Sequence, residues 1–345
     1  MVTAAGEETA PAAPKGWRGL SRRAALAGLA ACAMAPAARA GELRFRHVFG
    51  ETVLPRPARR VVSLGYTTQD PLLALGVPPI AVRHWFSDFA YGIGPWARPY
   101  LGDARPVDLV GEVPMERVAA LQPDLIVGIG SGLSEAEYAV LSKVAPVLMQ
   151  DAADAAFGTA WDATTRTIGR ALGKPVEAEA LIASVRGTFA AARARHPDWE
   201  GKTAVAAYHW DGETGAFISG DTRARFLAEL GFHPTAAVAA LTGPNGFYAA
   251  LSPEDLSPLE ADVLVWVSNQ DAAPDLAALP MRHTLAAYRE GREVFAAALA
   301  TTAMSFGSVL SLPFALEMLE ADIAAAADGH PETPVASAVA AGLAP

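Results

Sequence analysis

Seven residues recur with the same spacing in two places along the chain. Glu116, Val118, Leu121, Asp124, Leu125, Ile126 and Val127 match Glu254, Leu256, Leu259, Asp262, Val263, Leu264 and Val265 at one constant offset. Upstream of each copy, Leu72, Leu75 and Gly76 match Leu227, Leu230 and Gly231. One such match arises by chance between unrelated domains, but two in the same order point to two lobes of like topology. The 345 residues leave room for that, at about 100–200 residues per domain.

Inside each half, strand and helix signals alternate, the pattern of α/β layers around a largely parallel sheet. Residues 60–64 read as a buried strand, and 69–75 as a helix closed by Gly76 with Pro78 and Pro79 beyond it. Residues 116–121 read as a short helix and 124–128 as the next strand. Residues 134–143 read as a helix in which Ser134 and Glu137 have the spacing of a capping box. The second half repeats this with strands at 203–208 and 216–219, a helix at 223–230 closed by Gly231, a short helix at 254–259 and a strand at 262–267.

Between the halves, Phe157, Trp161, Thr164, Ile168 and Leu172 fall on one helical face, and Gly173 and Pro175 end the run. Such a helix of about 19 residues would be about 30 Å long, enough to run across both lobes. Another amphipathic helix follows at 177–195. The expected division is 1–40 export signal, 41–153 N-terminal lobe, 154–174 connecting helix, 175–328 C-terminal lobe and 329–345 tail.

The export reading rests on Ser21-Arg22-Arg23 before a short apolar stretch at 24–35, then Ala38-Arg39-Ala40 with small residues where a signal peptidase cuts. The paired arginines resemble a twin-arginine signal, with Ala25 where Phe is usual. A second processing site competes with it: Leu29-Ala30-Ala31-Cys32 resembles a lipobox, whose cysteine is lipidated and becomes the new N-terminus. Residues 1–40 hold five basic and two acidic side chains, so removing them takes the net charge from −10 to −13. That excess argues against nucleic acid and anionic lipid as partners. Cys32 is the only cysteine, so a chain cut after Ala40 has neither disulfide nor thiolate metal site and must rest on its core. The 52% apolar content supplies one, yet no apolar run after residue 40 reaches the ~18 residues that span a bilayer.

Catalytic signatures are missing. There is no Gly-x-Ser-x-Gly elbow, Walker loop or dinucleotide glycine fingerprint. Gly128-Ile129-Gly130-Ser131-Gly132 lacks the lysine of a phosphate loop, and reads either as room for the chain to approach a ligand or as a plain tight turn. The histidines, His47, His84, His196, His209, His233, His283 and His330, form no close pair; only His84 and His209 offer a meeting across a cleft. Isolated histidines are more often solvated or hydrogen-bonded than ligating. The expectation is a protein that is not an enzyme, with no catalytic residue and no metal site.

Four segments carry a family resemblance. Arg60-Val-Val-Ser-Leu-Gly-Tyr66 with Leu72-Leu-Ala-Leu-Gly-Val77, and Met115-Glu-Arg-Val-Ala-Ala-Leu-Gln-Pro-Asp-Leu-Ile126, resemble the N-lobe of siderophore- and cobalamin-binding periplasmic proteins. Ser252-Pro-Glu-Asp-Leu256 with Ala261-Asp-Val-Leu-Val265 resembles their C-lobe counterpart, and Met304-Ser-Phe-Gly-Ser-Val-Leu-Ser-Leu-Pro313 is similar to a signature of the iron–siderophore branch. The resemblance covers residues 44–325. It implies a class III periplasmic binding protein: two α/β lobes with central mainly parallel sheets, joined by a single long helix, with ligand held in the cleft between them. A rigid spine of this kind allows only modest closure. The implied function is capture of a ferric siderophore in the periplasm and delivery to an inner-membrane ABC permease with its ATPase, by a monomer without a cofactor. Cobalamin or haem as cargo is the alternative; a bare zinc or manganese receptor and an exported hydrolase are more remote.

A siderophore occupies the coordination sphere of Fe(III), so the receptor recognises a bulky shell, for which aromatic and Arg side chains are suited. Ligands of α/β sheets lie just past strand ends. That rule selects Tyr66, Trp85 and Ser131 in the N-lobe and Trp210 in the C-lobe; Phe247 and Tyr248 stand just before the Ser252 segment, Met304 and Phe306 stand in the last signature of the resemblance, and Arg83, Arg223 and Arg225 are candidate anion anchors. Against each stands the tendency of single Trp and Tyr residues to be core. Ser131 stands where the ferrichrome-binding relative uses an aromatic hydroxyl, so it and the arginines favour an anionic cargo while the aromatics favour a neutral one. The resemblance also implies that Glu116 and Glu254 dock onto permease arginines. Each is expected to begin a short helix, where the helix dipole favours a carboxylate.

Overall fold

The computed structural model describes residues 41–84, 89–243 and 246–345. The export signal, with both processing sites, and Trp85 lie outside the described residues.

Among the described residues the strands form three sheets. A hairpin pairs β1 (Leu43–His47) with β2 (Gly50–Leu54). The N-lobe sheet contains β3 (Val61–Ser63), β4 (Ala81–Arg83), β5 (Val107–Leu109), β6 (Leu125–Val127) and β7 (Val147–Leu148), in the order β5-β4-β3-β6-β7 with every neighbour parallel. The C-lobe sheet contains β8 (Ala204–Trp210), β9 (Glu213–Phe217), β10 (Tyr248–Ala250), β11 (Val263–Val267) and β12 (Glu293–Ala296), in the order β10-β9-β8-β11-β12. Here β8, β11 and β12 are parallel, while β9 runs antiparallel to β8 and β10. Among the described residues, the helices of six or more residues are α1 (Gln69–Ala74), α2 (Met115–Ala120), α3 (Glu135–Leu141), α4 (Trp161–Ala171), α5 (Pro175–Arg195), α6 (Thr222–Glu229), α7 (Ala298–Phe306) and α8 (Ser311–Ala327).

Strands β3, β6 and β11 are buried along their whole length, as expected of parallel strands covered by helices on both faces. The repeated aspartates explain themselves here. The Asp124 carboxylate accepts the backbone N–H of Arg59 and Arg60 (3.0 and 2.7 Å), and that of Asp262 accepts the backbone N–H of Thr203 at 2.7 Å. In each lobe the carboxylate before the second central strand holds the start of its parallel neighbour. The capping box at Ser134 and Glu137 forms on α3. Asp211 and Gly212, both with positive φ (49° and 78°), close the β8–β9 hairpin, as a two-residue turn matching strand twist requires.

Three expectations need correction. The connecting helix expected over 154–174 begins only at Trp161 and runs 11 residues. Gly158 is costly inside a helix, and the Thr159 hydroxyl is engaged by the Asp154 carboxylate at 2.8 Å. The helix that joins the lobes is instead α5, 21 residues long with Pro175 at its first turn. Ala178 near its start packs with the N-lobe core of Val61, Leu125 and Ile168, whereas Val185, Phe189 and Ala192 pack with the C-lobe core. At 254–259 there is no α-helix: Glu254 sits in a turn, and a single 3₁₀ turn covers Ser257–Leu259. Pro253 and Pro258 remove donors, and the Asp255 carboxylate accepts the Ser257 N–H instead. The expected tail at 329–345 is packed: Val335, Ala338 and Leu343 are buried. The Leu343 carbonyl accepts from the buried Arg282, which also pairs with Glu293 at 2.6 Å.

The lobes also share apolar contacts. Leu73, Val82, Ile93, Trp96 and Ala97 of the N-lobe belong to the same buried cluster as the C-lobe core. Trp96 meets Phe306 edge-on at 5.0 Å and Phe314 at 5.6 Å. No helix among the described residues is long and apolar enough to cross a membrane.

Candidate functional site

In the N-lobe sheet the chain leaves β3 for β4 on one side and later returns to β6 on the other. The strand order reverses between β3 and β6, where open α/β sheets open a crevice at their carboxyl ends. Tyr66, Thr67 and Thr68 follow β3, and Ile129 and Gly130 follow β6; together they form one wall of a cleft of about 450 Å³. The opposite wall is Phe217 at the end of β9, Gly220 to Arg223 at the start of α6, Phe247 and Tyr248, and Ser305 to Val309 at the end of α7 and in the turn after it. Phe157, Thr159, Trp161, Thr164 and Thr165 from the crossover and α4 complete it.

Aromatic side chains dominate both walls. The rings of Tyr66 and Phe157 stack nearly parallel, 14° apart at 6.2 Å. Phe157 lies outside α4, and a Cβ on Gly132 (φ +69°) would come within 2.9 Å of its ring. The glycine loop after β6 therefore makes room for a neighbouring side chain as well as lining the cleft through Gly130. Tyr248 is 41% exposed and stands edge-on to Tyr208 at 6.0 Å.

Of the sequence candidates, Tyr66, Arg223, Phe247, Tyr248 and Phe306 line the cleft. Phe306 is largely buried; it lines the cleft and its ring also meets that of Trp96. Arg83 stands behind Tyr66, with its guanidinium 4.8 Å from the ring centroid and Nη1 donating to the Ser131 carbonyl at 2.9 Å. Ser131 does not line the cleft: its hydroxyl turns back into the loop and donates to the Gly128 carbonyl at 2.6 Å. Arg225 also stands outside the lining, donating to the carbonyls of Gly158 and Ser219. Met304 is wholly buried in the C-lobe core. Trp210 opens onto a second cavity of about 350 Å³ at the ends of β8 and β11, because β9 turns back there and reaches the cleft only at its far end. Glu116, in the first turn of α2, and Glu254 are both exposed.

Sequence reasoning missed Asp221 and Asp70. Asp221 caps α6, accepting the Arg223 N–H, and holds the Arg223 guanidinium through two bonds of 2.8 and 3.1 Å. Asp70 lies in α1, fully buried, where Trp96 Nε1 donates to Oδ2 at 2.7 Å and the Ser308 hydroxyl of the C-lobe donates to the same oxygen. Its other oxygen, Oδ1, has no partner. Burial pushes the carboxyl up to about 7, against the pull of the bonds from Ser308 and Trp96. A charge set between Gln69 and the apolar Pro71-Leu72-Leu73 was the available signal.

Two α/β lobes that share a helix and an apolar seam, with an aromatic crevice between them, define a two-lobed ligand-binding protein. The chain belongs to the family described as periplasmic binding protein, which it matches over residues 61–297. It is 35% identical to a periplasmic solute binding protein from Mycobacterium smegmatis, with a TM-score of 0.73 over 82% of this chain and 98% of that one. Its fold is also that of PiaA from Streptococcus pneumoniae, solved with ferrichrome (21% identity, TM-score 0.70, 83% and 99% covered). Staphylococcus aureus SirA, solved with staphyloferrin B, is similar too (22% identity, TM-score 0.64, 80% and 97% covered). No curated protein matches the sequence.

Proposed function

We propose that this protein captures a ferric siderophore in the cleft between its lobes and delivers it to an inner-membrane ABC permease and its ATPase, without chemical turnover. The observation that carries the reading is the aromatic cleft itself, at the strand-order reversal of the N-lobe and bounded by both lobes. Stacked and edge-on rings offer area to a bulky, pre-coordinated iron complex without supplying iron ligands. The two siderophore complexes among the similar folds support the same cargo class. A bare-metal receptor has less behind it: no three His, Cys, Asp or Glu side chains among the described residues gather as a metal site. His84 is paired with Asp108 at 3.2 Å, and His209 with Thr214 at 2.8 Å. Action in the periplasm, as a monomer released or lipid-anchored by processing within residues 1–40, is part of the proposal.

Trp161 in the cleft provides the readout. Tryptophan fluorescence of the exported protein should be quenched saturably by a ferric siderophore and not by its iron-free form. A response to cobalamin or haem alone would keep the fold and replace the cargo. Docking is assigned to the exposed pair Glu116 and Glu254. The double variant Glu116→Arg/Glu254→Arg should abolish uptake in cells and leave ligand affinity intact; normal uptake would remove these residues from the docking surface.

A further inference from the structure

Resting on the receptor reading above, we propose that the cargo is an electrically neutral ferric chelate of the tris-hydroxamate type, and that the cleft selects against ferric tris-catecholates. The donors set the charge of such a complex. Three singly charged hydroxamates cancel Fe(III), whereas three doubly charged catecholates leave three negative charges. Burying that anion requires cations free to meet it.

Among the described residues, the cleft holds no cation without a carboxylate to balance it. Its charged side chains among the described residues are Asp221 and Arg223. Arg223 is engaged by both oxygens of Asp221, and its guanidinium lies 3.8 Å from the centroid of the Phe217 ring. Arg83 is committed behind Tyr66 to the Ser131 carbonyl, and Arg225 to two backbone carbonyls. Residues 85–88 and 244–245 carry no Lys or Arg in the sequence. An anion entering here would meet a balanced ion pair and a wall of rings. A neutral shell would find, in Tyr66, Phe157, Phe217 and Tyr248, the apolar area that suits it.

Isothermal titration calorimetry on the exported protein at physiological salt tests this. The neutral probes are ferrichrome and ferrioxamine E, and the anionic probe is ferric enterobactin. At least one neutral complex should bind about 100-fold tighter than the catecholate. Equal or tighter catecholate binding overturns the inference and leaves the siderophore receptor standing. Binding of neither class overturns the receptor reading, and this inference with it. Asp221→Asn keeps a capping side chain on α6 but frees the Arg223 guanidinium. The variant should shift the affinity ratio about tenfold towards the catecholate; an unchanged ratio shows that the Asp221–Arg223 pair is not the discriminator and overturns the mechanism proposed.

Discussion

Asp70 puts a carboxyl where water does not reach and then asks it to join two lobes. Its raised pKa means that the folded protein keeps a proton which the unfolded chain gives up above about pH 4. The contribution of this group to stability therefore falls as pH rises from about 4 to about 7 and levels off above that. A shift from 3.8 to about 7 amounts to about 4 kcal/mol at about 1.4 kcal/mol per unit. Asp70→Asn keeps an acceptor for Trp96 and Ser308 and carries no charge. It should raise the melting temperature at pH 8 and give no comparable gain at pH 4, as thermal unfolding at the two pH values would show. Equal effects at both would mean that the carboxyl is not the titrating group. The sequence offers a charge inside an apolar run but not its partner, because Ser308 meets Asp70 from the other end of the chain. The same holds for the arginines: Arg83, Arg223 and Arg225 look alike as letters, and only their partners separate the one that lines the cleft from the two that brace it.

At the scale of elements, more could be read. Strands β3, β6 and β11 are apolar runs without competing signals, and α3 announces itself through its capping box. The bridging helix was misplaced because Phe157 continues the helical spacing of Trp161, yet it leaves the helix to stack on Tyr66. Periodicity cannot tell a residue that faces a core from one that faces a cleft. The repeat was informative for a reason visible only in three dimensions, since Asp124 and Asp262 do the same work in their lobes. Asp124→Ala and Asp262→Ala should each cost about 1–2 kcal/mol by urea unfolding, since each leaves strand-start N–H groups without their acceptor. Losses below about 0.5 kcal/mol at both sites would show that these carboxylates do not hold the strand starts.

For the molecule as a whole, the seam between lobes limits motion. Helix α5 is rooted in both cores, and Trp96 is wedged against Phe306 and Phe314. Two lobes joined only by extended strands could swing apart on a hinge; these would have to part an apolar cluster first. Small-angle scattering of the ligand-free and loaded protein should therefore give nearly superimposable curves, and a marked contraction on loading would overturn this. The two-lobed plan itself was plain from the repeat. The seam was not, because Leu73, Ile93 and Trp96 carry no mark that separates them from ordinary core.

The β8–β9 hairpin has a consequence for how the protein comes to be folded. Its strands are neighbours in sequence, joined by Asp211 and Gly212, so they can zip together without closing a long loop. Every pairing in the N-lobe sheet needs a crossover first. Sheets made of distant pairings form slowly, and a local hairpin forms in microseconds. The C-lobe sheet thus contains a local pairing that the five-stranded N-lobe sheet lacks, and pulse-labelled hydrogen exchange during refolding should protect Ala207 and Ala216 before Val62 and Ile126. If the order is reversed, the nucleus lies elsewhere. If it holds, the half of the molecule that arrives last is the half whose strand-order reversal opens the cleft, so a slow-refolding sample would be folded by most measures before it could bind anything.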